Sequence, residues 1–153
     1  MFRVVAMRGG SKFRSALRNA VSKAAGGTVR VGILETQTYP AKDGKGDVSV
    51  AQVAYWNEYG TATIPARPFF RNTIAEKQDE WADNAASILQ HADGDVGKAL
   101  ALIGEGVKGD IVETIQNFRE PENAPSTVKK KGFNKPLIDT GDLWRAIQSE
   151  VVE

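Results

Sequence analysis

The stretch DGDVGKALALIGEGVKGDIVETIQNF, residues 93–118, decides the fold. Val96, Leu100, Ile103, Val107, Ile111, Ile115 and Phe118 follow one another at steps of three or four, the spacing that lines one face of an α-helix. Asp93-Gly94-Asp95 ahead of them reads as a turn and a cap, because a short acidic side chain can accept from the free amides of a first helical turn. Further upstream Pro68 suits the first helical position, where its missing N–H is harmless. The helix it starts runs to about Gln90, with Phe70, Ile74, Trp81, Ala85, Ile88 and Leu89 as its apolar side. Two long helices joined by so short a turn predict an antiparallel hairpin.

Shorter elements flank the hairpin. Ser11 is a helix cap for Phe13, Leu17, Val21 and Ala24, and Gly26-Gly27 supplies the stop. Thr28 to Leu34 alternates β-branched residues and reads as a strand with Val29, Val31 and Ile33 on one side. Glu35 to Asp47 is polar, with Pro40, Gly44 and Gly46, and reads as a long loop of the kind that is functional or disordered. Val48 to Tyr59 predicts a short helix, capped by Asp47 or Ser49 and ended by Gly60. Beyond the hairpin, Glu120 to Lys135 is loop-like with one helical turn over Ser126 to Lys131. Asp139 or Thr140 then caps a short helix through Trp144 and Ile147, and Ser149 to Glu153 closes the chain as a strand. The sum is an α+β fold: a small, mainly antiparallel sheet packed against a long helical hairpin and short helices. No linker divides residues 1–153, so they read as one domain.

Composition narrows the chemistry. The chain has 153 residues, 41% hydrophobic and 25% charged, which is enough apolar material for one folded domain and too much for a disordered chain. No apolar run approaches the roughly 18 residues needed to cross a bilayer, and the first eight residues are too short and charged for a secretory signal, so a soluble domain made in the cytosol is expected. There is no cysteine and a single histidine, His91, which disfavours disulfides, thiolate or multi-histidine metal sites and His-dependent triads. Net charge is +1, yet its signs are segregated. Arg3, Arg8, Lys12, Arg14, Arg18, Lys23 and Arg30 stand in residues 1–30 without an acid, whereas residues 76–123 carry eleven acids against four bases. The basic segment can meet nucleic acid or an acidic protein surface, the two faces can meet between copies in a ring, or both can be solvated.

Local motifs add little catalysis. Gly104-Glu105-Gly106-Val107-Lys108-Gly109 matches the dinucleotide fingerprint in letters, but that motif works only between a strand and a helix start, and here it falls inside a helical stripe. Close approach of another backbone, or a bend, explains the glycines better. Asp43, Gly44, Gly46 and Asp47 lack the closing bidentate carboxylate of a calcium loop. Lys129-Lys130-Lys131 reads as a solvated turn, with only Phe133 nearby to stack on a base. Asp139 and Asp142 complement a helix start.

One segment stands apart: Tyr55-Trp56-Asn57-Glu58-Tyr59-Gly60-Thr61-Ala62-Thr63-Ile64-Pro65-Ala66-Arg67-Pro68-Phe69-Phe70-Arg71. It reads as a helix end, a tight exit, a rigid extended link and a proline-started helix, a pinned corner in which the guanidinium fork of Arg67 pairs with Glu58. A second block follows the hairpin: Pro125-Ser126-Thr127, Lys131-Gly132, and Lys135-Pro136-Leu137-Ile138-Asp139-Thr140-Gly141-Asp142-Leu143 leading to Ala146-Ile147 and a final strand.

In the order and separation of these two blocks the chain resembles the tail-completion and head–tail joining (neck) proteins of long-tailed bacteriophages, over roughly residues 28 to 153. Trp56 and Trp144 are bulkier than that pattern, and the basic N-terminus lies outside it. The resemblance implies a structural virion protein, made in the host cytoplasm and placed at the neck or upper tail. It implies a ring, commonly a hexamer, between the tail tube or tail terminator and the head–tail connector or adaptor, with no catalysis and no cofactor. Glu58, Tyr59, Gly60, Thr61, Pro65, Arg67, Pro68, Phe69, Arg71, Asp139, Thr140 and Gly141 are the expected structural motif. Arg14, Arg18, Lys23, Tyr39, Asp43 and Lys45 are the candidate interface. The alternative is a small nucleic-acid-binding protein using the basic N-terminus; on the structural reading, DNA contact is at most incidental.

Overall fold

A computed structural model describes residues 27–33, 38–39, 47–139 and 141–152. The expected helix over residues 11–24 and the candidate interface residues Arg14, Arg18, Lys23, Asp43 and Lys45 lie outside them.

The hairpin is present. The helices Phe69–Gln90 (here α2) and Val96–Asn117 (α3) are 22 residues each, about 33 Å long at 1.5 Å per residue. In the turn between them Asp93 and Gly94 take positive φ, and the Asp95 carboxylate accepts from the Lys98 amide at 3.0 Å, as a cap should. On α3 the stripe works as spaced: Ile111, Ile115 and Phe118 are buried and the members nearer the turn half-buried. On α2 the expected apolar side needs correction. Ile74 is 47% exposed, while Thr73 is 1% exposed and occupies the turn directly above the fully buried Phe69. Thr73 is tolerated there because its hydroxyl is satisfied. Its Oγ1 lies 2.7 Å from the Phe69 carbonyl and 2.8 Å from Thr114 Oγ1, whose own proton goes to the Asp110 carbonyl at 3.0 Å. Two turns further, Trp81 Nε1 donates to Asp110 Oδ2 at 2.6 Å across the hairpin.

Thr28–Ile33 (β1) pairs antiparallel with Ile147–Val152 (β4), placing Val29 beside Val151, Val31 beside Ser149 and Ile33 beside Ile147. This face lies on α3. A Cβ at Gly104 would sit 2.6 Å from Val29 Cγ2 and 3.0 Å from Ser149 Cβ, so the first fingerprint glycine is where the sheet seats on the helix. The other two glycines are corrected: Gly106 and Gly109 face open space, so no close approach accounts for them.

Thr38–Tyr39 (β2) and Val48–Ser49 (β3) form a second antiparallel pair within the segment expected to be loop and helix start. Val48 therefore belongs to a strand, and the helix Val50–Tyr59 (α1) begins two residues late, with Ser49 at its cap position but making no side-chain cap bond. Near the C-terminus Pro125–Lys131 (α4) is a full short helix with Pro125 in its first turn and Gly132 in the left-handed conformation just past its end. The helix Asp142–Arg145 (α5) is four residues long, and Gly141, at φ 87, precedes it in place of the expected Asp139 or Thr140; Ile147 opens β4 instead of ending that helix. Thr140 is outside the described residues. Val50, Ala54, Phe69, Ile111, Ile115, Phe118, Leu137, Leu143, Ala146 and Ile147 pack into one core. It gathers where α2 begins and α3 ends, leaving the turn end of the hairpin more open.

Candidate functional site

The corner from Glu58 to Arg71 is built by two requirements of helix ends. α1 must stop and α2 must start, and each leaves backbone groups without intrahelical partners. Gly60 ends α1 at φ 76, its amide donating to the Trp56 carbonyl at 2.8 Å. A Cβ there would lie 2.9 Å from both the Ala66 nitrogen and the Ile64 oxygen, so the returning chain runs too close for any side chain. Thr61 holds the loop: its amide donates to the Ile64 carbonyl at 2.9 Å, and its hydroxyl oxygen accepts from the amides of Thr63 and Ile64 at 3.3 and 3.1 Å. Ile64 and Pro65 are exposed at the tip.

Pro68 occupies the cap position of α2, one residue earlier than expected, and has no side chain able to cap. Glu58 does that work from the end of the preceding helix. Its Oε2 accepts from the Phe70 amide at 2.9 Å, and its Oε1 from the Arg71 amide at 3.1 Å and Arg71 Nε at 2.9 Å. Arg71 also donates through Nη2 to the Glu58 carbonyl at 2.6 Å. A carboxylate in this place meets both the free amides and the positive end of the helix dipole. Only 4% of Glu58 is exposed, so the charge is buried with its partners made.

The expected Glu58–Arg67 pair is thereby corrected. Glu58 takes Arg71, which sits on the same side of the helix as the amides the carboxylate caps. Arg67 precedes the helix and points elsewhere: Nε donates to the Pro121 carbonyl at 2.9 Å and Nη2 to the Glu122 carbonyl at 2.8 Å. With 6% of the residue exposed, burial pulls this guanidinium down from its ordinary range. Its planar fork spans two successive carbonyls and ties the corner to the strand of chain that leaves the hairpin, next to the cis Glu120–Pro121 bond. The Arg67 amide meets the Asn57 carbonyl, and Asn57 Nδ2 donates to Val53 O at 2.9 Å.

The Glu58 carboxylate and the Arg67 guanidinium are thus turned inward and the rings outward. Tyr55 and Tyr59 are 58% and 56% exposed, stacked obliquely at 4.8 Å, with the Arg71 guanidinium 4.8 Å above the Tyr59 ring. Trp56 and Ile64 are also partly exposed. Sequence reasoning gave Tyr59 and Arg71 to the motif but not Tyr55 to the surface; the signal was the i, i+4 spacing of the two tyrosines on one helix.

The second block contributes Leu137, Leu143 and Ala146 to the same core. Gly141 is buried, and a Cβ there would meet Trp144 Nε1 at 3.0 Å and Arg145 Cζ at 3.2 Å. Asp139 is exposed. Tyr39, the described member of the candidate interface, is half-buried against the core. Burial, then the carboxylates of Asp142 and Asp139, push its hydroxyl up to about 12. Among the described residues no group of three or more His, Asp or Glu side chains is placed to hold a metal ion, and no helix is long and apolar enough to cross a membrane. Comparison with the profiles of known families, with characterised proteins and with solved structures finds no match for this chain.

Proposed function

We propose that this protein is a structural subunit of a tailed-phage virion that completes the tail or joins it to the head, acting as a ring of identical copies. The observation that carries the reading is the division of labour at the corner. Glu58, Arg67 and Arg71 spend their charged groups on their own backbone and each other, while Tyr55, Tyr59, Trp56 and Ile64 stand outside on the frame so made. Rigid aromatic side chains next to an arginine are the composition of protein–protein contact centres. On this reading no catalytic step and no cofactor is assigned to the corner.

On this reading the subunit is made in the host cytoplasm and ends in the virion neck or upper tail. Its partners there are its own copies, the tail tube or tail terminator, and the head–tail connector or adaptor. Mass measurement of the purified protein over a wide concentration range, with protein identification and imaging of the particles, tests it. A closed oligomer, and density for the chain at the neck, are expected. A protein that stays monomeric at every concentration, together with particles that lack it, overturns the reading.

A further inference from the structure

Two exposed patches of opposite sign remain outside the corner. One is a basic knuckle formed by the end of α4 and the residues after it. Lys129, Lys130 and Lys135 are exposed there, and none makes an ion pair among the described residues. Phe133, 38% exposed, stands among them with Lys131 Nζ 5.0 Å from its ring centre. The knuckle is rigid for its size: Lys131 Nζ donates to the Lys135 carbonyl at 2.8 Å, and Arg67 holds the Pro121 and Glu122 carbonyls just upstream. The other patch is the outer face of α2. Glu76, Asp79 and Asp83, at helical steps of three and four, are exposed and engaged in no ion pair or hydrogen bond among the described residues, whereas Glu80 beside them is held by Lys77 at 2.9 Å.

These patches stand on different elements of one subunit. The knuckle is tied through Arg67 to the start of α2, and at 1.5 Å per residue Glu76 and Asp83 lie roughly 10 and 20 Å further along that helix. They are unlike one another, so each is complementary to the other patch on a second copy and to neither patch of its own kind.

We infer that the Lys129–Lys130–Lys135 knuckle of one copy docks, around Phe133, on the Glu76–Asp79–Asp83 face of the next. The inference rests on the ring reading and names the contact through which copies would associate. A contact between unlike patches is heterologous and propagates head to tail until rotation closes it. Charge complementarity favours a second copy over nucleic acid: a phosphate backbone would find one aromatic ring to stack on, and a subunit whose α2 face repels it.

The experiment uses the full-length protein and two charge-reversed variants. One is Lys129→Glu/Lys130→Glu/Lys135→Glu, the other Glu76→Lys/Asp79→Lys/Asp83→Lys. All substituted groups are exposed, and circular dichroism checks that each variant folds. Sedimentation velocity is run at about 0.05 M and about 0.5 M salt, between which exposed pairs are progressively screened. The wild type is expected to assemble at low salt and to need about tenfold more protein at high salt. Each variant alone, with two patches of one sign, should need at least about tenfold more protein than the wild type. An equimolar mixture should recover assembly, because each reversed patch now faces its opposite. If a variant does not fold, Lys129→Gln/Lys130→Gln and Glu76→Gln/Asp79→Asn take its place and are expected to weaken assembly in the same direction. A wild type that assembles while variants assemble equally well, or a mixture of folded variants that does not recover, overturns the docking contact and leaves the ring standing. A wild type that never assembles removes the ring, and the contact with it. Binding of a fluorescein-labelled DNA duplex that is lost in the lysine variant, with assembly unchanged, also overturns the contact and assigns the knuckle to nucleic acid.

Discussion

Replacing Glu58 by Gln separates capping from ion pairing at the corner. The carboxylate accepts three hydrogen bonds, two from the amides of Phe70 and Arg71 and one from Arg71 Nε. A glutamine keeps one acceptor oxygen and turns an NH2 toward donors, so at least one buried amide loses its partner and the α2 dipole loses its counter-charge. Hydrogen bonds to a charged group contribute about 1.5–3 kcal/mol each, and removing one member of a buried pair costs about 3–5 kcal/mol. We therefore expect Glu58→Gln to lose about 3 kcal/mol, a fall in Tm of about 6–12 °C for a domain of this size. Arg71→Met should be much milder, about 1 kcal/mol or less. The Arg71 side chain is 53% exposed, and without it Glu58 still caps both amides. Urea denaturation of both single variants, the double variant and an Arg67→Met series gives the coupling energies. Equal losses for Glu58→Gln and Arg71→Met would show that the ion pair, not the cap, is what Glu58 supplies. Coupling of Glu58 to Arg67 larger than its coupling to Arg71 would refute the geometry altogether.

Three further outcomes are expected. Gly104→Ala gains about 1 kcal/mol of helix propensity but drives a methyl to 2.6 Å from Val29 Cγ2, an overpacking cost of about 1–3 kcal/mol, so it should be neutral to destabilising in urea denaturation; Gly109→Ala, in open space, should stabilise by up to about 1 kcal/mol. The Tyr39 hydroxyl, raised from 10.0 to about 12, stays protonated in the folded chain at pH values where the unfolded chain releases its proton. Its contribution is therefore complete below pH 10.0 and lost as pH climbs to about 12, and the urea midpoint of the wild type should fall over that window relative to Tyr39→Phe. Trp81→Phe removes the 2.6 Å bond to Asp110 and should lower stability by about 1 kcal/mol, read by thermal unfolding.

What was legible in the residues follows from how local each signal is. The α3 stripe, the Asp95 cap and the β1 and β4 strands depend on spacing within a few residues, and all are present. The pairing of β1 with β4 joins segments some 120 residues apart, and antiparallel pairing of the two was within reach only because few strand patterns stand in the sequence. The burial of Thr73 was not legible, since it depends on Thr114 opposite, and hydroxyl pairs leave no apolar trace in the pattern. At the corner the sequence named Glu58, Arg67 and Arg71 but not their partners. Opposite charges nine residues apart suggested one bridge. The actual arrangement is decided by which backbone groups lack partners, namely the first amides of α2 and the carbonyls of Pro121 and Glu122, and the latter come from a segment more than fifty residues away.

Arg67 joins these levels, and its replacement by Lys tests what a fixed corner does for assembly. The guanidinium fork bridges two carbonyls, locking the exit of the hairpin to the entry of α2; an ammonium on a flexible stem keeps the charge but cannot span both in one plane. In the proposed ring, each subunit must hold its two contact surfaces at one angle, because an error at one interface is repeated at every copy before closure. The knuckle lies on the hairpin's exit and the acidic face on α2, so the two surfaces are related through this bridge. Arg67→Lys should therefore fold, with a loss of about 1–2 kcal/mol for a carbonyl left without its donor. Its assemblies should spread over several sizes where the wild type forms one. Native mass spectrometry at matched concentration reads the distribution. A single species identical to the wild type, from a variant whose stability has dropped, would show that the corner serves folding alone and that closure is set elsewhere.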